Sequence, residues 1–154
     1  MAELFWPLIT LAALALLFLI VPPARIRELL LFGYAGGFLL AAVQNYALVH
    51  LLELWHYHHL FIAVGGVPLA ILLLWWAVEI FFGHVLLETG INRVLLFVLF
   101  AAGAAAFWQF LVWRGYHSVV NWSFVHTFFQ GIISHAVLYV FFLFMVPSKV
   151  KNLH

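Results

Sequence analysis

The chain has 154 residues, of which 68% are hydrophobic and 7% are charged, and its mean hydropathy is +1.19. These values predict a membrane protein of one domain instead of a soluble one. The absence of cysteine excludes disulfides, thiolate metal sites and cysteine nucleophiles, and a formal net charge of +1 provides no basic surface for nucleic acid.

Five apolar runs, each about long enough to cross a bilayer as a helix, divide the chain. They cover residues 4–21, 29–55, 67–88, 94–113 and 123–146. The residues before the first run include an acid, Glu3, where a signal peptide carries positive charge, so we predict a retained helix, which Pro22 and Pro23 end. The sequence therefore predicts an all-α bundle of five transmembrane helices, forming a single domain over residues 1–154.

The basic residues indicate the orientation of these helices. Five crossings put five basic residues on one side of the membrane: Arg25, Arg27, Arg93, Lys149 and Lys151. The other side receives only Arg114. Because basic loops stay in the cytoplasm, we predict an N-terminus outside and a cytoplasmic C-terminus.

Small residues mark the helix faces that can approach one another closely. Gly33 and Gly37 have the spacing of small residues at helix contacts, and residues 101–106 read AAGAAA. Such faces serve either packing within the bundle or a dimer seam. With little chain outside the membrane, we expect contacts with membrane lipids and either a homo-oligomer or a membrane-protein partner.

Most polar residues fall in the predicted outer half of the bundle. His50 and Glu53 are three residues apart, and they share one face with His56 if the second helix continues that far. His135 lies near the middle of the fifth helix. Glu79 is the deepest acid of the chain, so we expect it to be protonated or bonded across helices.

A metal site is one interpretation of the histidine-rich segment. Imidazole and carboxylate groups bind divalent metals such as zinc or copper. The candidate ligands at the outer end are His50, Glu53, His56, His58, His59 and His117. The segment reads HYHH and lacks the HxxHH and HxxxH boxes of di-iron hydroxylases, which argues against di-iron chemistry. Alternatively, these histidines are solvated loop residues at the membrane interface.

A b-type haem is a second interpretation. Such a haem needs two histidines on facing helices at equal depth, and His50 and His126 meet the depth condition. Asn45 and Gln130 lie beside them and complete the candidate cofactor-binding set. Five-helix haem-bearing anchors of respiratory reductases have a similar general plan.

A membrane enzyme with Glu79 as its acid is a third interpretation. The segment ELWHYHHLFIAVGGVPLAILLLWWAV, residues 53–78, resembles the loop and following helix of carotenoid-modifying membrane hydratases and cyclases. That resemblance implies a lipid or isoprenoid substrate for Glu79. The paired acidic motif of the cyclases is missing from this chain, so their activity does not transfer.

The resemblance that covers most of the chain is to another group. The segments VPPARIRELLLFGYAG and GYHSVVNW, a proline-started third helix and a short basic tail are similar to a family of small, uncharacterised five-helix membrane proteins of Gram-positive bacteria. This resemblance implies the five-helix architecture and the bacterial inner membrane. From the polar residues of the outer half, we expect a non-catalytic membrane protein whose His, Glu, Gln and Asn cluster binds a small ligand, ion or cofactor within a larger membrane assembly.

Overall fold

The computed structural model describes residues 2–88 and 92–146, and this part of the chain is mostly helical. Its five helices are α1 (Phe5–Ile20), α2 (Pro23–Leu51), α3 (Leu69–Glu88), α4 (Arg93–Trp113) and α5 (Phe124–Met145). The last four are long and apolar enough to cross a membrane, whereas α1 has 16 residues and is shorter than such a span. The predicted helical architecture is therefore confirmed, with four helices of membrane-spanning length.

The predicted bounds of α2 need correction at both ends. The helix begins at Pro23, because proline is accepted in the first turn, where its missing N–H needs no partner. It ends at Leu51, and Glu53 has a φ of +52°, a left-handed conformation that interrupts a helix. The condition for a shared helical face of His50, Glu53 and His56 is therefore not met, since only His50 is helical.

Short strands occupy the segments between α2 and α3 and between α4 and α5. Strand β1 (Trp55–Tyr57) pairs antiparallel with β4 (His117–Val119), and β2 (Ala63–Val64) pairs with β3 (Val67–Pro68). Gly65 and Gly66 connect the second pair, and both have positive φ, as the two-residue hairpin turn of type I′ requires. We predicted no strands, because strands of two or three residues are too short to produce a recognisable alternation.

The bundle thus has two chemically different ends. We call the end formed by residues 52–68 and 114–123 the strand end, and the opposite end, with Arg25 and Arg93, the arginine end. At the arginine end, the Arg25 guanidinium contacts Glu28 at 2.9 Å and Glu88 at 3.0 Å. The Arg93 guanidinium lies 5.0 Å from the ring centre of Tyr139.

Helix α1 packs along α3 between these two ends. At the strand end, the Trp6 indole N–H donates to the His58 carbonyl oxygen at 3.0 Å. One turn further, the Thr10 hydroxyl donates to the Ala70 carbonyl oxygen at 2.8 Å. Val21, just after α1, belongs to the buried apolar cluster that includes Leu87 near the arginine end. The helix therefore contributes to the core along its whole length.

The glycines of α2 allow it to approach α3 closely. Residues Gly33–Leu40 of α2 are wound as a wider π-helix. A Cβ atom on Gly37 would lie 2.6 Å from the Trp75 carbonyl oxygen and 2.6 Å from the Trp76 Cα atom. Gly33 is equally close to Ile80. Of the two roles left open for these glycines, the structure assigns packing within the bundle.

Candidate functional site

A cavity of about 80 Å³ lies between the helices in the half of the bundle nearer the strand end. Its polar lining comes mainly from two helices. Helix α2 supplies Gln44 and Asn45. Helix α5 supplies Thr127, Gln130, Ser134 and His135. Glu79 of α3 and Tyr57 of β1 complete the polar lining, so the interior of a strongly apolar bundle contains a concentrated group of hydrogen-bonding side chains.

Glu79 and His135 form a buried pair in this lining. Both side chains are almost fully buried, and Glu79 Oε1 lies 3.7 Å from His135 Nε2. That separation exceeds a hydrogen bond, so the two groups do not satisfy one another. The other ring nitrogen, His135 Nδ1, lies 2.7 Å from the Gly131 carbonyl oxygen.

The position of each residue along its helix explains why the pair forms. Helices α3 and α5 both run from the strand end towards the arginine end. Glu79 comes ten residues after Leu69, the first residue of α3. His135 comes eleven residues after Phe124, the first residue of α5. Each therefore lies roughly 15 Å from the start of its helix, at about the same depth.

Several buried polar atoms of the lining residues have no hydrogen-bond partner among the described residues. They are Glu79 Oε2, His135 Nε2 and the indole Nε1 atoms of Trp55 and Trp108. Folded proteins satisfy most buried polar atoms, so a concentration of exceptions calls for an explanation. One explanation is a bound molecule that carries hydrogen-bond donors and acceptors, and the cavity has room for a small one.

Hydrogen bonds between neighbouring elements hold the cavity wall. The Gln44 amide donates to the Ser134 hydroxyl at 2.8 Å, which joins α2 to α5. The Tyr57 hydroxyl donates to Asn45 Oδ1, which joins β1 to α2. Asn45 in turn donates from Nδ2 to the Ala41 carbonyl oxygen at 2.8 Å. Burial raises the pKa of Tyr57, so its hydroxyl keeps the proton that this contact uses.

His117 is buried behind Tyr57. The two rings are stacked, with centres 4.6 Å apart and planes 8° apart, and the indoles of Trp55 and Trp108 meet the imidazole edge-on. Burial lowers the pKa of His117 to about 3, with a further contribution from the nearby imidazoles of His58 and His56. His117 is therefore neutral at neutral pH and is part of an aromatic cluster.

The predicted metal ligands do not converge. His50, Glu53, His56, His58 and His59 are exposed, whereas His117 is buried. Residues 2–88 and 92–146 contain no group of three or more His, Asp or Glu side chains that could hold a metal ion. The structure therefore does not bring the six predicted ligands together, because α2 ends at Leu51 and the strand that follows points its side chains alternately to opposite sides.

The predicted haem ligands are also engaged locally. A ring nitrogen of His50 contacts the Gly65 carbonyl oxygen. His126 Nδ1 accepts from the Ser123 backbone N–H at 3.1 Å and lies 2.8 Å from the Ser123 hydroxyl, in the capping box that begins α5. Both rings are exposed, and neither lines the cavity. Asn45 and Gln130, predicted beside them, do line it.

The residue that sequence reasoning missed as a partner is His135. Nothing local in the sequence pairs it with Glu79, which is 56 positions away. The equal offsets of the two residues from the starts of parallel-running helices are a signal that could have suggested the pair. Tyr57 and Trp108 were also missed as lining residues, because a place in the cavity wall depends on which elements meet in the folded bundle.

The fold and the cavity define a helical chain with four helices able to cross a membrane and an internal polar site. No protein-family model, curated protein or solved structure matches this chain. Its function is therefore inferred from its own residues and their geometry.

Proposed function

We propose that this chain is a multi-pass protein of the bacterial inner membrane that binds a small ligand in the cavity between α2, α3, α4 and α5. The observation that carries the proposal is the buried Glu79 and His135 pair in a cavity with unpartnered polar atoms. Ionisable groups within membrane helices are retained mostly where they pair or line a cavity. Binding without chemistry is the simplest role that uses these groups.

We propose five crossings, with the N-terminus outside. Helix α1 contacts both ends of the bundle through Trp6 and the residues around Val21, although its 16 residues extend only about 24 Å. The arginine end carries Arg25, Arg27 and Arg93, whereas the strand end carries Arg114. This asymmetry favours a cytoplasmic arginine end, and we therefore propose that the cavity lies in the outer half of the membrane.

We also propose that the protein works within a membrane assembly, as a homo-oligomer or with another membrane protein. Within residues 2–88 and 92–146, the segments outside the helices are short, so soluble partners have little surface to contact there. The resemblance to small five-helix proteins of Gram-positive bacteria supports the same location and plan.

A membrane enzyme is the second candidate, because Glu79 Oε2 is buried without a partner beside Trp75 in the cavity lining. A protonated carboxyl group there could act as an acid on the end of a lipid or isoprenoid. A Glu79→Gln variant that folds but loses turnover would support this reading.

The haem alternative is weaker, since a cavity of about 80 Å³ is too small for a porphyrin. A Soret band in the purified protein would restore it.

Thermal unfolding of the protein in mild detergent tests the binding proposal. Tryptophan fluorescence would follow unfolding with a panel of small cations, neutral polar molecules and anions. We expect at least one compound to stabilise the wild type, because a ligand at about 100 times its Kd adds about 2.7 kcal/mol to the free energy of unfolding. If no compound stabilises the wild type, the proposal fails.

A pair of variants on one helix locates the binding. Ala104 of α4 lines the cavity, whereas Ala106 is exposed on the same helix. Ala104→Phe should abolish the stabilisation by filling the cavity, and Ala106→Phe should retain it. Equal loss in both variants, or retention in both, would place the binding elsewhere.

A further inference from the structure

The unpartnered atoms of the buried pair both accept hydrogen bonds when Glu79 is ionised, which is the form that a bound cation would favour. A carbonyl oxygen can only accept, so the 2.7 Å contact with Gly131 places the imidazole hydrogen on His135 Nδ1. In the neutral ring, Nε2 then carries a lone pair. Glu79 Oε2 is an acceptor in the ionised carboxylate. A ligand that satisfies both atoms therefore has to supply two donors.

The charged residues of the lining indicate whether the ligand is positively or negatively charged. Glu79 is the single acidic residue among the described lining residues, and no lysine or arginine lines the cavity. A buried carboxylate is costly unless a positive group compensates it. A positively charged donor would compensate the Glu79 charge, whereas an anion would add a second uncompensated charge.

Aromatic side chains form much of the remaining wall. They are Trp55, Tyr57, Trp75, Phe107 and Trp108. The faces of such rings attract organic cations, most strongly when the cation is removed from water. A wall of this kind beside one carboxylate is typical of sites for organic ammonium groups. The same rings contact the methyl groups of such a cation favourably.

We propose that the cavity binds a small alkylammonium ion, which donates N–H groups to Glu79 Oε2 and His135 Nε2 and packs its carbon atoms against the aromatic wall. This inference rests on the proposed ligand-binding function and names the chemical class of the ligand. The volume of about 80 Å³ limits the ion to a few non-hydrogen atoms. Methylammonium is the probe that fits these requirements most simply.

Equilibrium dialysis of radiolabelled methylammonium with purified wild-type protein tests the proposal directly. We expect saturable binding that unlabelled methylammonium displaces. Methanol is close in size but uncharged, and acetate is a small anion, so neither should displace the label at the same concentration. Displacement by methanol as effective as that by methylammonium would overturn the requirement for a positive charge.

A matched pair of variants tests the carboxylate. Glu79→Gln keeps the shape of the side chain and removes its charge, so affinity for methylammonium should fall about tenfold or more. Glu3→Gln makes the same chemical change at an exposed position near the start of α1 and should leave the affinity unchanged. Unchanged affinity in a folded Glu79→Gln protein would overturn the proposal.

The thermal-shift panel separates the failure of this inference from the failure of the proposed function, and it needs only the wild type. Stabilisation by neutral or anionic compounds alone, lost in Ala104→Phe, would overturn the alkylammonium assignment and leave ligand binding intact. If no member of the panel and no methylammonium binds, both proposals fail, and water between Glu79 and His135 would explain the pair.

Discussion

Glu79 Oε1 and His135 Nε2 lie 3.7 Å apart, on two helices that do not follow one another in the chain. Each side chain is almost fully buried within a bundle whose other interior residues are mainly apolar. Two titratable groups at this depth, beside a cavity, are the strongest indication of function in the molecule. The same structure also predicts how particular residues hold the bundle and the cavity wall together.

Gly37→Ala should destabilise the fold. The added Cβ atom would meet the backbone of Trp75 and Trp76 at 2.6 Å, and backbone atoms of a packed helix cannot move aside as a flexible side chain can. We expect a loss of about 1–3 kcal/mol in the free energy of unfolding, measured by thermal unfolding in detergent. Gly103→Ala is the control, because a Cβ atom there meets nothing within 4 Å.

Size-exclusion chromatography of the same two variants checks the assignment of this glycine to packing within one chain. If Gly37→Ala dissociated an oligomer while the subunits kept their unfolding temperature, Gly37 would belong to a dimer seam, contrary to the structure.

Trp6→Phe should weaken the attachment of α1. The indole N–H of this buried residue donates to the His58 carbonyl oxygen, and phenylalanine cannot make that bond. The expected loss is about 1–3 kcal/mol, the usual cost of leaving a partner group unsatisfied. Trp113→Phe makes the same change at a residue that is 77% exposed and should have little effect. Equal effects of the two variants on the unfolding temperature would contradict the prediction.

Tyr57→Phe should loosen the junction between β1 and α2. It removes the hydroxyl that donates to Asn45 Oδ1, and Asn45 is buried, so its oxygen would lose a bonding partner. We expect a loss of about 1–3 kcal/mol in the free energy of unfolding.

A double-mutant cycle with Asn45→Leu isolates this interaction. Asn45→Leu also removes the side-chain amide that Tyr57→Phe leaves without a partner. The double variant should therefore lose less free energy of unfolding than the sum of the two single losses. Additive losses would show that the Tyr57 hydroxyl and Asn45 are not coupled.

His117 should make the protein less stable at acid pH. Its pKa in the folded state is about 3, below the ordinary value of 6.5, so between these values the unfolded chain binds more protons than the folded one. Its contribution to stability is complete above about pH 6.5 and is lost as the pH falls towards 3, by at most about 1.4 kcal/mol per pH unit.

The variant His117→Phe keeps an aromatic ring against Tyr57 and removes the titrating group. The unfolding temperature of the wild type should therefore fall more steeply than that of the variant as the pH falls from 7 to 4. Parallel pH profiles for the two proteins would contradict the assignment of the acid sensitivity to His117.

The linear sequence was sufficient to predict the helices, because a helix forms through interactions between residues that are close together in the chain. A run of about 20 apolar residues satisfies its own backbone hydrogen bonds as a helix and needs no distant partner to do so. The predicted bounds of α3, α4 and α5 accordingly agree with the structure to within two residues at each end. Only at α2 did local reasoning fail, since neither the helical start at Pro23 nor the break near Glu53 was recognised.

The arrangement of the polar residues was decided by the tertiary structure. The strand that carries His56 forms by pairing with residues about 60 positions away, and this pairing separates histidines that are adjacent in the sequence. The sequence by itself determined that Glu79 is buried in an apolar helix. The group that Glu79 meets depends on which helices are neighbours and on how each helix is rotated about its axis. Close packing at Gly37 and Gly131 contributes to both, and hydrophobic periodicity does not reveal it.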